Sequence, residues 1–189
     1  MVNQMDRVID DLDREQVTLT ERVVNIRRVA KVVKGGRHLT FSALVVVGDG
    51  QGRVGSGLGK AIAIPDAVRK GATIAQKTLI TVPLKGTTVP FQVKAKYGAA
   101  QVMLKPAPPG TGIISGPSMR AVLDMVGAKD VVGKSLRSQN PINVVRATVE
   151  ALRQLAMFPP EQEEAPVESE QESADSPLVE QIEEEGARE

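Results

Sequence analysis

Apolar positions along the first third of the chain follow a two-residue or continuous pattern, the mark of strands. Val23 to Val33 alternates loosely, with Val24, Ile26 and Val32 in one set and Arg27 and Lys31 in the other, and predicts a first strand. Gly35-Gly36 turns it back into Leu39 to Val47, a β-branched and aromatic run whose composition requires at least one buried face. Asp49-Gly50 and Gly52 then predict a tight turn into a third strand, Arg53 to Gly59, so strands one to three form an antiparallel meander. In that third strand Gly55, Gly57 and Gly59 recur at every second position and leave one face without side chains. Such a face admits close approach by something large, and a polyanion is the expected visitor. The connection from Lys34 to Leu39, carrying Arg37 and His38, reads as an adaptable loop hinged on glycine.

Helical spacing takes over at Pro65, a residue suited to a first turn, with Asp66 beside the positive helix end. The helix is expected to run to Leu79, with Ala67, Val68, Gly71, Ile74, Ala75 and Leu79 covering the sheet and Arg69, Lys70 and Lys77 outward. Thr81 to Gly86 reads as a linker. Beyond it, Thr87 to Ala95 and Ala99 to Lys105 predict a second hairpin about Tyr97-Gly98, followed by a Pro/Gly-rich stretch to Gly116. Ser115 is expected to cap a helix from Pro117 to Val126 that Gly127 closes, and Lys129 to Leu136 to form a strand. Asn140-Pro141 opens a last helix, with Val144, Val145, Thr148, Leu152 and Leu155 on one face, which Pro159-Pro160 ends. The division that follows is an acidic arm over 1–20, one unit over 21–84, a second over 85–158 and a disordered acidic tail over 159–189.

Charge sharpens this picture. The net charge of +1 on 189 residues conceals a segregation. Residues 20–158 carry 21 bases and 6 acids, whereas residues 159–189 carry 12 acids and only Arg188. A folded body with a net +15 is expected to attract phosphate backbones. Arg27, Arg28, Lys31, Lys34 and Arg37 have no acid among them from Arg22 to Gly48, and with Arg53 and Lys60 they are the candidate phosphate contacts. Aromatic residues make up 2% of the chain, which argues against base stacking and leaves shape and backbone contacts. No cysteine and a single His38 exclude a disulfide framework, a thiolate site or a multi-histidine metal site, and no cofactor is expected. No apolar run reaches membrane-spanning length, and the acidic amino terminus resembles neither a signal nor a transit peptide, so a cytoplasmic protein is expected.

Gly50-Gln-Gly52-Arg-Val-Gly55 matches the dinucleotide pattern GxGxxG in letters but joins two strands instead of opening a helix, so it reads as a hairpin turn. Gly59-Lys60 lacks both the leading glycine and the following hydroxyl of a P-loop. Gly110 to Gly116 before a helix admits two readings, a phosphate cradle or a plain turn. An enzyme would also need clustered acids, and the six in the body are scattered, while the serines have only His38 to activate them. A nucleotide-using kinase-like enzyme and a free-standing nucleic-acid chaperone remain as alternatives to a structural RNA-binding protein.

Arg28-Val-Ala-Lys-Val-Val-Lys-Gly-Gly-Arg37, Phe41, Ala43, Val46 to Gly55 and Gly57-Leu-Gly-Lys60 resemble the signature of the bacterial-type small-subunit ribosomal protein number five family. Gly110 to Gly116, Met119 to Leu123 and Asn140 to Thr148 are similar to the family's second half, and the resemblance covers about Glu21 to Leu155. It implies an α+β protein of two small units. The first would be like a double-stranded-RNA-binding domain, the second a βαβ-type unit shared with certain small-molecule kinases. It further implies a non-enzymatic component of the ribosomal small subunit that binds ribosomal RNA, with Gly35, Gly36 and the bare Gly55, Gly57 and Gly59 face beside the cations as the RNA surface. Protein partners number four, through the region of Gly112 and Arg120, and number eight, through the second unit, follow from the same resemblance. So do a position along the messenger entry channel and an influence on decoding accuracy. Ala30, where many relatives carry serine, Ser56, where they carry an aromatic, and the acidic tail are departures from the pattern.

Overall fold

The computed structural model describes residues 19–157; the acidic arm and the acidic tail inferred from composition lie outside the described residues. Strand β1 (Thr20–Val33) pairs antiparallel with β2 (Gly36–Gly48), β2 with β3 (Arg53–Ala61), and β3 with the two-residue β4 (Ile80–Thr81). Helix α1 (Ile64–Lys77) packs on β2 and β3. The second sheet runs β5 (Val93–Tyr97), β6 (Ala100–Pro106), β8 (Val131–Ser135), β7 (Ile113–Ile114), antiparallel except for the β7–β8 pair. Helix α2 (Pro117–Val126) makes the crossover between those two parallel strands, and α3 (Pro141–Met157) lies across β5 and β6. The architecture is the expected one: α+β, an antiparallel meander with a helix and then a βαβ-type unit.

Strand β2 explains its own composition. Ala43, Val45 and Val47 face α1, while Leu44 and Val46 belong to a core made chiefly by the second unit. A strand buried on both faces has no polar alternation to show, hence the continuous apolar run. The second core joins Leu44, Val46 and Val54 to Met119, Val122, Leu123, Val126, Leu152 and Leu155, so one apolar interior spans both units. The expected linker accordingly does not behave as one. Thr81 closes the first sheet, and Val82 is buried with its amide donating to the Gly52 carbonyl at 2.8 Å.

The glycine hairpin at 49–53 is the joint between the units. Asp49 accepts from the amides of Gln51 (2.7 Å) and Arg53 (3.0 Å), which fixes the turn. Gly50 and Gly52 then donate to the carbonyls of Met125 (3.0 Å) and Val126 (2.8 Å), the exposed backbone acceptors at the end of α2. Gly127 completes that end in the left-handed region, φ 90°, and a side chain there would run into the Gly50 carbonyl. The start of α2 differs from expectation: Gly116, not Ser115, is its cap residue, and the Ser115 hydroxyl is buried with no hydrogen-bond partner among the described residues. Asn140 does cap α3, its Oδ1 accepting from Ile142 at 3.4 Å.

Candidate nucleic-acid interface

The connection from Lys34 to Leu39 is almost entirely strand. Pairing continues to Val33 opposite Gly36, so only Lys34 and Gly35 form the turn, with Gly35 at φ 93°. The expected adaptable loop is corrected to the tip of a long two-stranded arm, because cross-strand pairing runs on to the Val33–Gly36 pair and Gly35 supplies the positive φ that closes a two-residue turn at its second position. Along this arm Arg27, Arg28, Lys31, Lys34, Arg37 and His38 are all exposed, as are Gly35 and Gly36.

Register sorts these groups onto two faces. Arg27 pairs with Ser42 and Lys31 with His38, on the face that Leu44 and Val46 share further along. Arg28, opposite Phe41, and Arg37, opposite Val32, lie on the α1 side, where Ile26, Val32 and Leu39 are also exposed. The arm therefore presents cations on both faces and at its tip. Among the described residues none of Arg27, Arg28, Lys31, Lys34 and Arg37 takes part in an ion pair. An arm of unneutralised cations suits a ligand that carries its own regular negative charge.

Two other candidates stand apart from the arm. Lys60 lines a shallow depression with Gly59, Arg69, Lys70, Thr73 and Ile74, so β3 and α1 together bring three cations to one spot. Arg69 and Lys70 were legible as outward helix positions, but their meeting with Lys60 needs the tertiary fold. Arg53 lies at the opposite end of β3, beside Asp49 at 4.0 Å, and does not join the cluster.

The bare face of Gly55, Gly57 and Gly59 is not open to RNA. A methyl placed on Gly55 would strike the Ala75 carbonyl, one on Gly57 that of Gly71, and one on Gly59 that of Ala67. The large visitor is α1, whose own small residues Ala67, Gly71 and Ala75 recur every fourth position along the contact. Helix and strand approach backbone to backbone, which fills the space proposed for a polyanion.

The Gly110 to Gly116 turn resolves in a related way. The Gly112 amide, at φ 75°, donates to Asp130 Oδ1 at 2.9 Å. Hydrogen bonds from the Thr87 hydroxyl, then from the Gly112 amide, hold the Asp130 carboxyl below its ordinary value, with smaller help from Gly110 and Lys129 against the cost of burial. An internal carboxylate thus occupies the Gly112 amide, which points away from any phosphate in this turn. Arg120 is exposed on the first turns of α2, just after that loop.

Two family models match. Ribosomal protein S5, N-terminal domain, covers residues 19–83, and Ribosomal protein S5, C-terminal domain, covers residues 95–164. The two matches, in order and over most of the described residues, coincide with the meander-plus-helix unit and the βαβ-type unit. With its cationic arm and its paired units, the chain belongs to the ribosomal protein S5 family, the RNA-binding proteins of the small ribosomal subunit.

Proposed function

We propose that this protein is a non-enzymatic structural component that grips small-subunit ribosomal RNA with the β1–β2 arm and helps the subunit assemble. The observation that carries the reading is the arm itself, five exposed cations on two paired strands and the turn between them, with no acid from Arg22 to Gly48. Strand pairing keeps those charges at fixed spacing, so little ordering entropy is lost when phosphates arrive. Arg27, Arg28, Lys31, Lys34 and Arg37 make the phosphate contacts, Gly35 and Gly36 let the tip enter close to the backbone, and Lys60 adds a contact beside Arg69 and Lys70. Arg53 acts more weakly, since Asp49 shares its charge.

In the same reading the second unit docks neighbouring proteins. The Gly112 and Arg120 region meets ribosomal protein number four, another part of the unit meets number eight, and the assembled surface lines the messenger entry region and influences decoding accuracy. The Gly112 amide, held by Asp130, supports a structural part for that unit over a kinase-like one. The test is incorporation: Lys34→Glu with Arg37→Glu should reduce the share of the protein that sediments with small subunits by about ten-fold at moderate salt. Normal incorporation of the double variant would remove the arm from the RNA interface.

A further inference from the structure

The acids of the folded body are nearly all committed. Asp49 holds its own turn and neighbours Arg53, Asp124 pairs with Arg22, Glu150 lies 3.6 Å from Arg153, and Asp130 is bound by Thr87 and Gly112. Asp66 sits in the first turn of α1, where the helix dipole favours it. Of six acids in residues 20–158 that leaves Glu21, at the far end of β1 from the cationic tip. The body cannot neutralise its own arm. The one large store of negative charge in the chain is residues 159–189, with 12 acids against Arg188.

Reach is not limiting. Thirty-one residues span up to about 100 Å when extended, more than twice the length of about 43 Å that the 13-residue β2 covers from the joint to the tip. A tethered segment also acts at an effective concentration in the millimolar range. A net −11 held at that concentration near exposed cations has a Coulombic incentive to meet them at low salt. A ribosomal RNA site offers many fixed phosphates and displaces such a segment, whereas a generic duplex offering a few contacts competes with it on poor terms.

We propose that residues 159–189 occupy the β1–β2 arm in the free protein as an internal polyanion, which ribosomal RNA displaces and which holds back unspecific RNA. The inference rests on the arm being the RNA surface. Its chemistry is that of the phosphate backbone, carboxylates standing in for phosphates opposite Arg27, Arg28, Lys31, Lys34 and Arg37.

The test compares the full chain with a chain ending at residue 158, each with and without Lys34→Glu/Arg37→Glu, titrated with a generic RNA duplex of about 20 base pairs at about 50 mM and about 300 mM salt. Ending the chain at 158 should tighten duplex binding about ten-fold at the lower salt and less than about two-fold at the higher. Since the chain lacks cysteine, Ser173→Cys gives a unique site for a spin label. Its label should broaden the amide signals of Gly35 and Gly36, and Lys34→Glu/Arg37→Glu should abolish the broadening. Unchanged affinity, or tighter affinity without broadening at the tip, overturns the proposal, the second outcome meaning long-range repulsion alone. If instead the shortened chain binds the duplex equally well with the arm reversed, the arm reading itself falls.

Discussion

Glycine at 55, 57 and 59 shows what a residue's absence of side chain can and cannot say. The bare stripe was readable, and so was the matching stripe of Ala67, Gly71 and Ala75; that the two meet is a tertiary fact no local pattern carries. Gly57→Ala should cost at least about 3 kcal/mol, at the upper end for overpacking, because the clash is with the Gly71 carbonyl and neither backbone can move alone. Gly36→Ala, with open space around it, should cost less than about 0.5 kcal/mol. Urea unfolding of both measures the contrast. Asp130 makes a second prediction. Its carboxyl lies lower in the folded chain than in the unfolded one, so its contribution to stability is complete above the ordinary carboxylate range, about pH 4, and drains away as acid passes through the folded value. The stability gap between the native protein and Asp130→Asn should then be constant at neutral pH and narrow below about pH 4, as followed by unfolding at a series of pH values.

At the scale of elements, the meander and the three helices among the described residues were legible because each carries its own signal: continuous apolar strands, Pro65, Pro117 and Asn140-Pro141 at helix starts, Gly127 at a helix end. The arm was legible in part. Its charges stood out, but glycine and polar residues from Lys34 to Leu39 look like a loop when the partner strand is unknown, and cross-strand hydrogen bonds decide otherwise. If the arm works as a rigid rod, loosening its turn should matter without any change of charge. Gly35→Val forces a β-branched residue into positive φ and should cost about 1–2 kcal/mol of local pairing. Hydrogen exchange should show faster opening of the amides near the tip, with the rest of β2 unchanged.

For the whole molecule, composition at Thr81 to Gly86 reports turn chemistry and is silent about Val82 being buried. Leu44, Val46 and Val54 are covered by residues from beyond the linker, so the chain should unfold in one cooperative transition, and a fragment of residues 19–84 should lack a sharp one by circular dichroism. Gly127→Ala, which thrusts a methyl at the Gly50 carbonyl, should lower the melting temperature and loosen the joint between units while sparing each sheet.

That joint has a mechanical meaning. β2 is 13 residues long and runs about 43 Å from the tip of the arm to the turn whose amides clasp the end of α2. A strand seated on both faces at one end and free at the other is a lever. A sideways push at Gly35 is borne at the seated end, by Leu44 and Val46 packed on the second unit and by the Gly50 and Gly52 amides held on the Met125 and Val126 carbonyls, so a load on the tip is resisted by side-chain packing and backbone hydrogen bonds together.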